Sequence, residues 1–235
     1  MRLERCYLYG LAWNTKESGN FLMAKNRIIT LKEKVEKMTL IIVTGMPGAG
    51  SSTVIKEGLK LKTKGEGAGY EFTPINYGDV MFEAAREEGF VEKRDELRKL
   101  PGEKQRAIQM LACNKISELK KNRNLIIDTH CTIKSPAGYL PGLPEYVLRE
   151  IMPDQFVLIE ATPEEIFERR SKDKTRERDV EDKNSIEEHQ FMNRVMSMAY
   201  ACLTGASVKI IENHDGELEK AAEEFFELMK MWGKS

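Results

Sequence analysis

Nine consecutive residues, Gly45-Met46-Pro47-Gly48-Ala49-Gly50-Ser51-Ser52-Thr53, combine three glycines with three hydroxyl side chains. Glycines at 45, 48 and 50 open backbone conformations closed to residues with a Cβ, so successive N–H groups can converge on one anion. A helix starting at the hydroxyls adds unpaired N-terminal donors and the positive end of its dipole. Ser52 or Thr53 then offers an oxygen where Mg²⁺ bridging the β- and γ-phosphates of a nucleotide would sit. The general phosphate-loop pattern is G-x-x-x-x-G-K-[ST], and Ser51 stands at its lysine position. The chemistry predicted is the cradling of a triphosphate without the usual ammonium. A glycine-rich turn with no ligand is the alternative.

Three further groups carry reactive side chains. Asp128-Thr129-His130 closes the apolar run Leu125-Ile126-Ile127. An aspartate ending a buried strand beside a phosphate loop suits the outer shell of Mg²⁺, against the plainer reading of a turn or cap aspartate. His130 reads equally as a ligand for a substrate phosphate and as a turn histidine. Asn76-Tyr77-Gly78-Asp79 precedes a helix predicted from Val80 to Glu88, and Arg94-Asp95-Glu96-Leu97-Arg98-Lys99 follows it. Arg94 and Arg98 offer the planar donors that suit a monophosphate, or else form a solvated helix face. Finally, residues 168–183 hold three uncharged residues among sixteen. Such a run is a solvated segment or, in a phosphate-transfer enzyme, a lid that excludes water. Arg169, Arg170, Arg176 and Arg178 would then replace the charge that Ser51 lacks.

The elements that position these groups alternate. Apolar runs at 40–44, 125–127, 156–159 and 208–211 read as buried parallel strands, with 71–76 as a weaker fifth that Pro74 assigns to an edge or a strand end. Ile108, Leu111, Ala112, Ile116 and Leu119 recur at helical spacing, as do Leu218, Ala221, Ala222, Phe225, Met229 and Trp232. Thr162-Pro163-Glu164-Glu165 and Ser185-Ile186-Glu187-Glu188 read as capping boxes at helix starts. The prediction is an α/β fold, a five-stranded parallel sheet with helices on both faces and ligands outside the carboxyl ends of its strands.

At 235 residues, 41% hydrophobic and 32% charged, the chain suits one globular domain, with 62–69 a flexible connection inside it. A net charge of −1 excludes a globally basic nucleic-acid binder. Cys6, Cys113, Cys131 and Cys202 form no C-x-x-C pair, which argues against a disulfide framework or structural zinc and fits a reducing cytosol. No run reaches the ~18 apolar residues of a membrane span. Residues 1–37 open with a faint signal-like pattern but lack a cleavage site. They are expected to be a dispensable N-terminal extension, with translation beginning at Met38.

From Met38 onward, about five-sixths of the sequence resembles the archaeal-type adenylate kinases. The resemblance rests on G-x-P-G-x-G with hydroxyl residues in place of lysine, Val80-Met81-Phe82-Glu83, Arg94-Asp95-x-x-Arg98-Lys99-Leu100 and Asp128-Thr129-His130. It also rests on Gly138-Tyr139-Leu140-x-Gly142-Leu143-Pro144, Thr175-Arg176-x-Arg178-Asp179, Glu188-His189-Gln190-Phe191-Met192-Asn193-Arg194 and Leu203-Thr204-Gly205-Ala206. It implies a P-loop kinase core with a short mobile lid at about 168–183, within a domain spanning 38–235. It also implies Mg²⁺-dependent phosphoryl transfer from ATP to AMP giving two ADP, by a cytoplasmic homo-oligomer, a trimer. In that frame residues 45–53 hold ATP, Ser52, Thr53 and Asp128 serve the metal, and Gly78, Asp79, Arg94, Arg98 and His130 receive AMP. Arg169, Arg170, Arg176 and Arg178, with Arg194 as a further candidate, close over the transferring group. Other readings are a kinase for another nucleoside monophosphate and a non-catalytic ATP-binding sensor or assembly factor. Binding of nucleic acid or membrane is not expected.

Overall fold

The computed structural model describes residues 38–61, 71–172 and 182–232, without the side chain of Arg98. The N-terminal extension and the greater part of the expected lid, including Arg176 and Arg178, lie outside the described residues.

Five strands form one parallel sheet: β1 (Leu40–Thr44), β2 (Phe72–Asn76), β3 (Asn124–Thr129), β6 (Gln155–Glu160) and β7 (Ser207–Glu212), in the order β2-β3-β1-β6-β7. Every residue of β1 is buried because helices cover both faces of the sheet. Alternation divides the strand between two cores. Ile41 and Val43 pack with Val54, Ile166 and Phe225 on one face, whereas Leu40 and Ile42 pack with Ile116, Leu148 and Tyr200 on the other. Pro74 stands on β2, an edge strand, beside Ile126, where a missing ladder donor is tolerated.

The helices are α1 (Ser51–Leu61), α2 (Tyr77–Glu87), α3 (Gly102–Lys120), α4 (Glu145–Ile151), α5 (Pro163–Lys172), α6 (Lys183–Thr204) and α7 (Leu218–Trp232). Three boundaries differ from the sequence reading. Helix α2 begins at Tyr77, because the Asn76 side chain accepts the Asp79 N–H at 3.2 Å and caps it, so Gly78 and Asp79 lie in its first turn. Helix α6 is capped by Asp182, which takes the Ser185 N–H at 2.8 Å, so Ser185 stands inside the first turn. Residues 168–172, assigned to the lid, are the last turns of α5. The other capping box forms as read: Glu165 N–H donates to Thr162 Oγ1 at 3.2 Å, and Glu165 Oε2 accepts the Thr162 N–H at 2.9 Å.

A small antiparallel hairpin, β4 (Thr132–Ser135) and β5 (Gly138–Pro141), was not expected from the sequence. It springs from the end of β3. Gly142 closes its base with an N–H donated to the Cys131 carbonyl at 2.8 Å. A Cβ at Gly142 would lie 1.8 Å from the His130 carbonyl oxygen, so only glycine passes here. Tyr200 on α6 braces the same corner, donating to the Cys131 carbonyl at 2.9 Å.

Candidate active site

A cleft of about 600 Å³ opens at the carboxyl ends of β1, β2 and β3. The phosphate loop forms its floor and the start of α2 one wall, and Arg94, Asp128, His130 and Arg169 reach into it. The chain returns from β1 into α1 within six residues, which forces the sharp conformations that the glycines permit. Gly48 and Gly50 have φ of 101° and 91°, closed to side chains without strain. Gly45 is needed for another reason: its Cβ would lie 2.7 Å from the Ile159 carbonyl, so the loop could not sit against β6. Met46 and Ala49 turn their side chains into the core, and the Ala49 N–H closes a turn on the Met46 carbonyl at 3.0 Å. Ala49 is the one loop residue that does not line the cleft.

Register explains Asp128. It stands beside Val43 near the end of the central ladder, pointing at the start of α1. Ser51 Oγ donates to Asp128 Oδ1 at 3.2 Å, and Ser52 Oγ donates to Oδ2. Two hydroxyls and a carboxylate gathered at a helix N-terminus are hard oxygen donors of the kind Mg²⁺ takes. The residues present fit that ion. Thr53, exposed like Ser52, lines the same cleft, and its N–H is taken by the Gly50 carbonyl at 3.0 Å.

On the opposite wall Arg94 opens a 3-10 helix (Arg94–Lys99). Its guanidinium lies over Gly78, where a Cβ would meet Nη2 at 2.6 Å. It pairs with Asp79 and donates to Asn76 Oδ1 at 3.2 Å. Arg98 follows one turn later. His130 donates from Nδ1 to the Gly45 carbonyl at 3.0 Å, the tautomer a carbonyl acceptor demands, so its Nε2 edge is the one left for other partners.

The arginines of α5 separate. Arg170 lays its stem across Gly48, with Cγ 2.9 Å from a Cβ built there. Arg169 Nε donates to Asp215 at 2.7 Å and Nη2 to the Asn213 carbonyl at 2.8 Å. Arg194 is not among the residues lining this cleft. It forks onto Glu160, with Nε 2.9 Å from Oε1, and lines a separate hollow of about 320 Å³ beside Phe191 and His214. The hydrogen bonds to Glu160 hold its guanidinium charged above its already high ordinary pKa.

Sequence reasoning missed Asn213 and Asp215, and saw Glu165 only as a cap. Burial pushes the Glu165 carboxyl up, but hydrogen bonds from His214, the Asp215 N–H and Thr162 outweigh it and hold it down to about 2. The same bond to Glu165, with a second to Glu212, raises the His214 pKa.

A glycine loop between the first strand of a parallel sheet and its helix, facing an aspartate from the neighbouring strand, defines a P-loop kinase core. Comparison with known proteins agrees. A family model described as an AAA domain matches residues 44–187. The adenylate kinase of Methanopyrus kandleri is 57% identical over 193 residues, covering 81% of this chain and 97% of that protein. Those of Methanocaldococcus jannaschii and Methanothermobacter thermautotrophicus are each 53% identical. The first covers 83% of this chain and 100% of the relative, the second 80% and 97%. The chain belongs to the adenylate kinase family.

Proposed function

We infer that this protein transfers the γ-phosphoryl group of ATP to AMP, giving two ADP. The observation that carries the reading is the facing of two phosphate-binding walls across one cleft: the glycine loop on the donor side and Arg94 over Gly78 on the other. Phosphoryl transfer asks alignment and charge neutralisation of the protein, not covalent chemistry. The loop 45–53 holds the ATP phosphates with its amides and the α1 dipole. Ser52 or Thr53, with Asp128, would hold Mg²⁺, which when bound neutralises charge on the β- and γ-phosphates. Arg94, Arg98 and His130 receive the AMP phosphate, with Gly78 and Asp79 beneath it. Arg170, Arg176 and Arg178 supply the charge over the transferring group that no loop lysine provides.

The protein is further assigned to the cytoplasm as a homo-oligomer, a trimer. Among the described residues no helix is long and apolar enough to cross a membrane. Phe191, Val195, Met198 and Leu203 on α6 give an exposed apolar face that assembly would cover. A coupled assay for ADP with AMP, CMP, UMP and GMP as acceptors tests the reaction. Turnover confined to AMP is expected; a different preferred base would reassign the acceptor. Tight ATP binding with no ADP formed from any acceptor would leave a nucleotide sensor instead.

A further inference from the structure

The stretch after β7, Asn213-His214-Asp215, belongs to no motif in the sequence, yet it lies directly behind the phosphate loop. Asn213 is buried, and its Nδ2 donates to the Ala49 carbonyl at 2.7 Å. It sits so close that a Cβ on Gly50 would come within 2.5 Å of it. Arg169 spans the same gap. Its Nη2 donates to the Asn213 carbonyl, and Nη1 lies 3.4 and 3.5 Å from the Gly48 and Ala49 carbonyls. Asp215 fixes that guanidinium, with Oδ1 2.7 Å from Nε and 2.6 Å from Nη2. Asp215 is itself held, because its N–H donates to Glu165 Oε1 at 2.7 Å.

In a trans peptide the C=O and N–H point in opposite directions. Anchoring the Ala49 carbonyl from behind therefore aims the Gly50 N–H away from Asn213, toward the cleft. A loop without a lysine grips phosphate by the direction of its amides, and tilting one peptide plane misdirects donors together. We propose that Asn213 and Asp215 are positioning residues for the phosphate loop, Asn213 directly and Asp215 through Arg169. Arg169 thereby works on the loop's carbonyl side and not on the transferring phosphoryl group. This rests on the reading of that loop as the ATP site.

The test is a double-mutant cycle in the full chain on Asp215→Ala and Arg169→Ala. ATP affinity is measured by calorimetry without AMP, and initial rates are measured with each substrate varied. Asp215→Ala should weaken ATP binding and raise its KM about tenfold, with the KM for AMP and kcat within about twofold. In the Arg169→Ala background the same change should cost nothing further, because its route is gone. Equal losses in both backgrounds, or a fall in kcat with ATP affinity intact, would overturn the proposal. If Asp215→Ala does not fold, Asp215→Asn carries the same cycle, with a smaller first loss and the same vanishing in the second background. Wild-type protein that binds no ATP would instead remove the nucleotide reading itself.

Discussion

Two arginines line the cleft, and they are held differently. On the donor side the Arg169 side chain is 23% exposed; it is bonded to backbone carbonyls and to Asp215, a carboxylate that is 57% exposed but whose N–H is anchored on Glu165. On the acceptor side Arg94 is 54% exposed, and its partner Asp79 is 58% exposed. An ion pair that open contributes about 0–1 kcal/mol and is screened by salt. Breaking the Asp79 pair therefore costs Arg94 little, whereas Arg169 would also have to leave the Gly48, Ala49 and Asn213 carbonyls. One arginine is tied to backbone oxygens as well as a carboxylate, the other to side chains alone.

The largest expected effect tests whether charge over the reaction comes from neither of these two. Changing Arg170, Arg176 and Arg178 singly to alanine should cut turnover ~10²–10³-fold for at least one of them. Near-normal kcat in all three would exclude that segment from the chemistry. Next, on the proposed assignment of Arg94 to the AMP phosphate, Arg94→Ala should lower kcat/KM for AMP about 10–100-fold while the KM for ATP holds. If the ATP constant moves as much, the two walls are not separate. Gly48→Ala forces a side chain into a φ of 101° and against Arg170, costing about 1–2 kcal/mol. Thermal unfolding with and without ATP should show a lower Tm and a smaller shift by nucleotide.

The donor-side scaffold also has a pH signature. His214 gains a proton more readily when folded, so its contribution is full below about pH 6.5 and is lost as pH rises through its raised folded value. Glu165 behaves oppositely, keeping its contribution until pH falls below ~4.5 toward 2. The Tm gap between wild type and His214→Asn should thus be widest near pH 6 and narrow toward about pH 9; a constant gap would separate His214 from the scaffold. Smallest of all, Asp79→Asn should leave Tm unchanged within error and alter the KM for AMP by no more than about threefold, since its pair with Arg94 is open to solvent. A large loss there would give Asp79 a part in AMP binding beyond that pair.

What could be read in advance follows from how far each signal travels along the chain. Strands β1, β3 and β6 announce themselves as apolar runs because both faces are covered, and Pro74 marks its own edge strand. The phosphate loop is legible because its chemistry is packed into nine neighbours. The hairpin β4–β5 is not. Its two arms have four residues each and are largely exposed, so no alternation reveals them. Asn213 and Asp215 were invisible for the opposite reason: Asn213 meets Ala49 across 164 positions and Asp215 meets Arg169 across 46, distances that no local pattern encodes. Glu165 was half read. Its bond to Thr162 is local and fits a capping box, while its bonds to His214 and Asp215 exist only after β7 is laid beside β6.

The crossing at Gly142 bears on the histidine beside it. With the chain threaded that tightly past the His130 carbonyl and latched to Cys131, the histidine's side of the entrance has no slack. Any side chain at position 142 would have to push the His130 carbonyl aside, and with it the imidazole that lines the cleft.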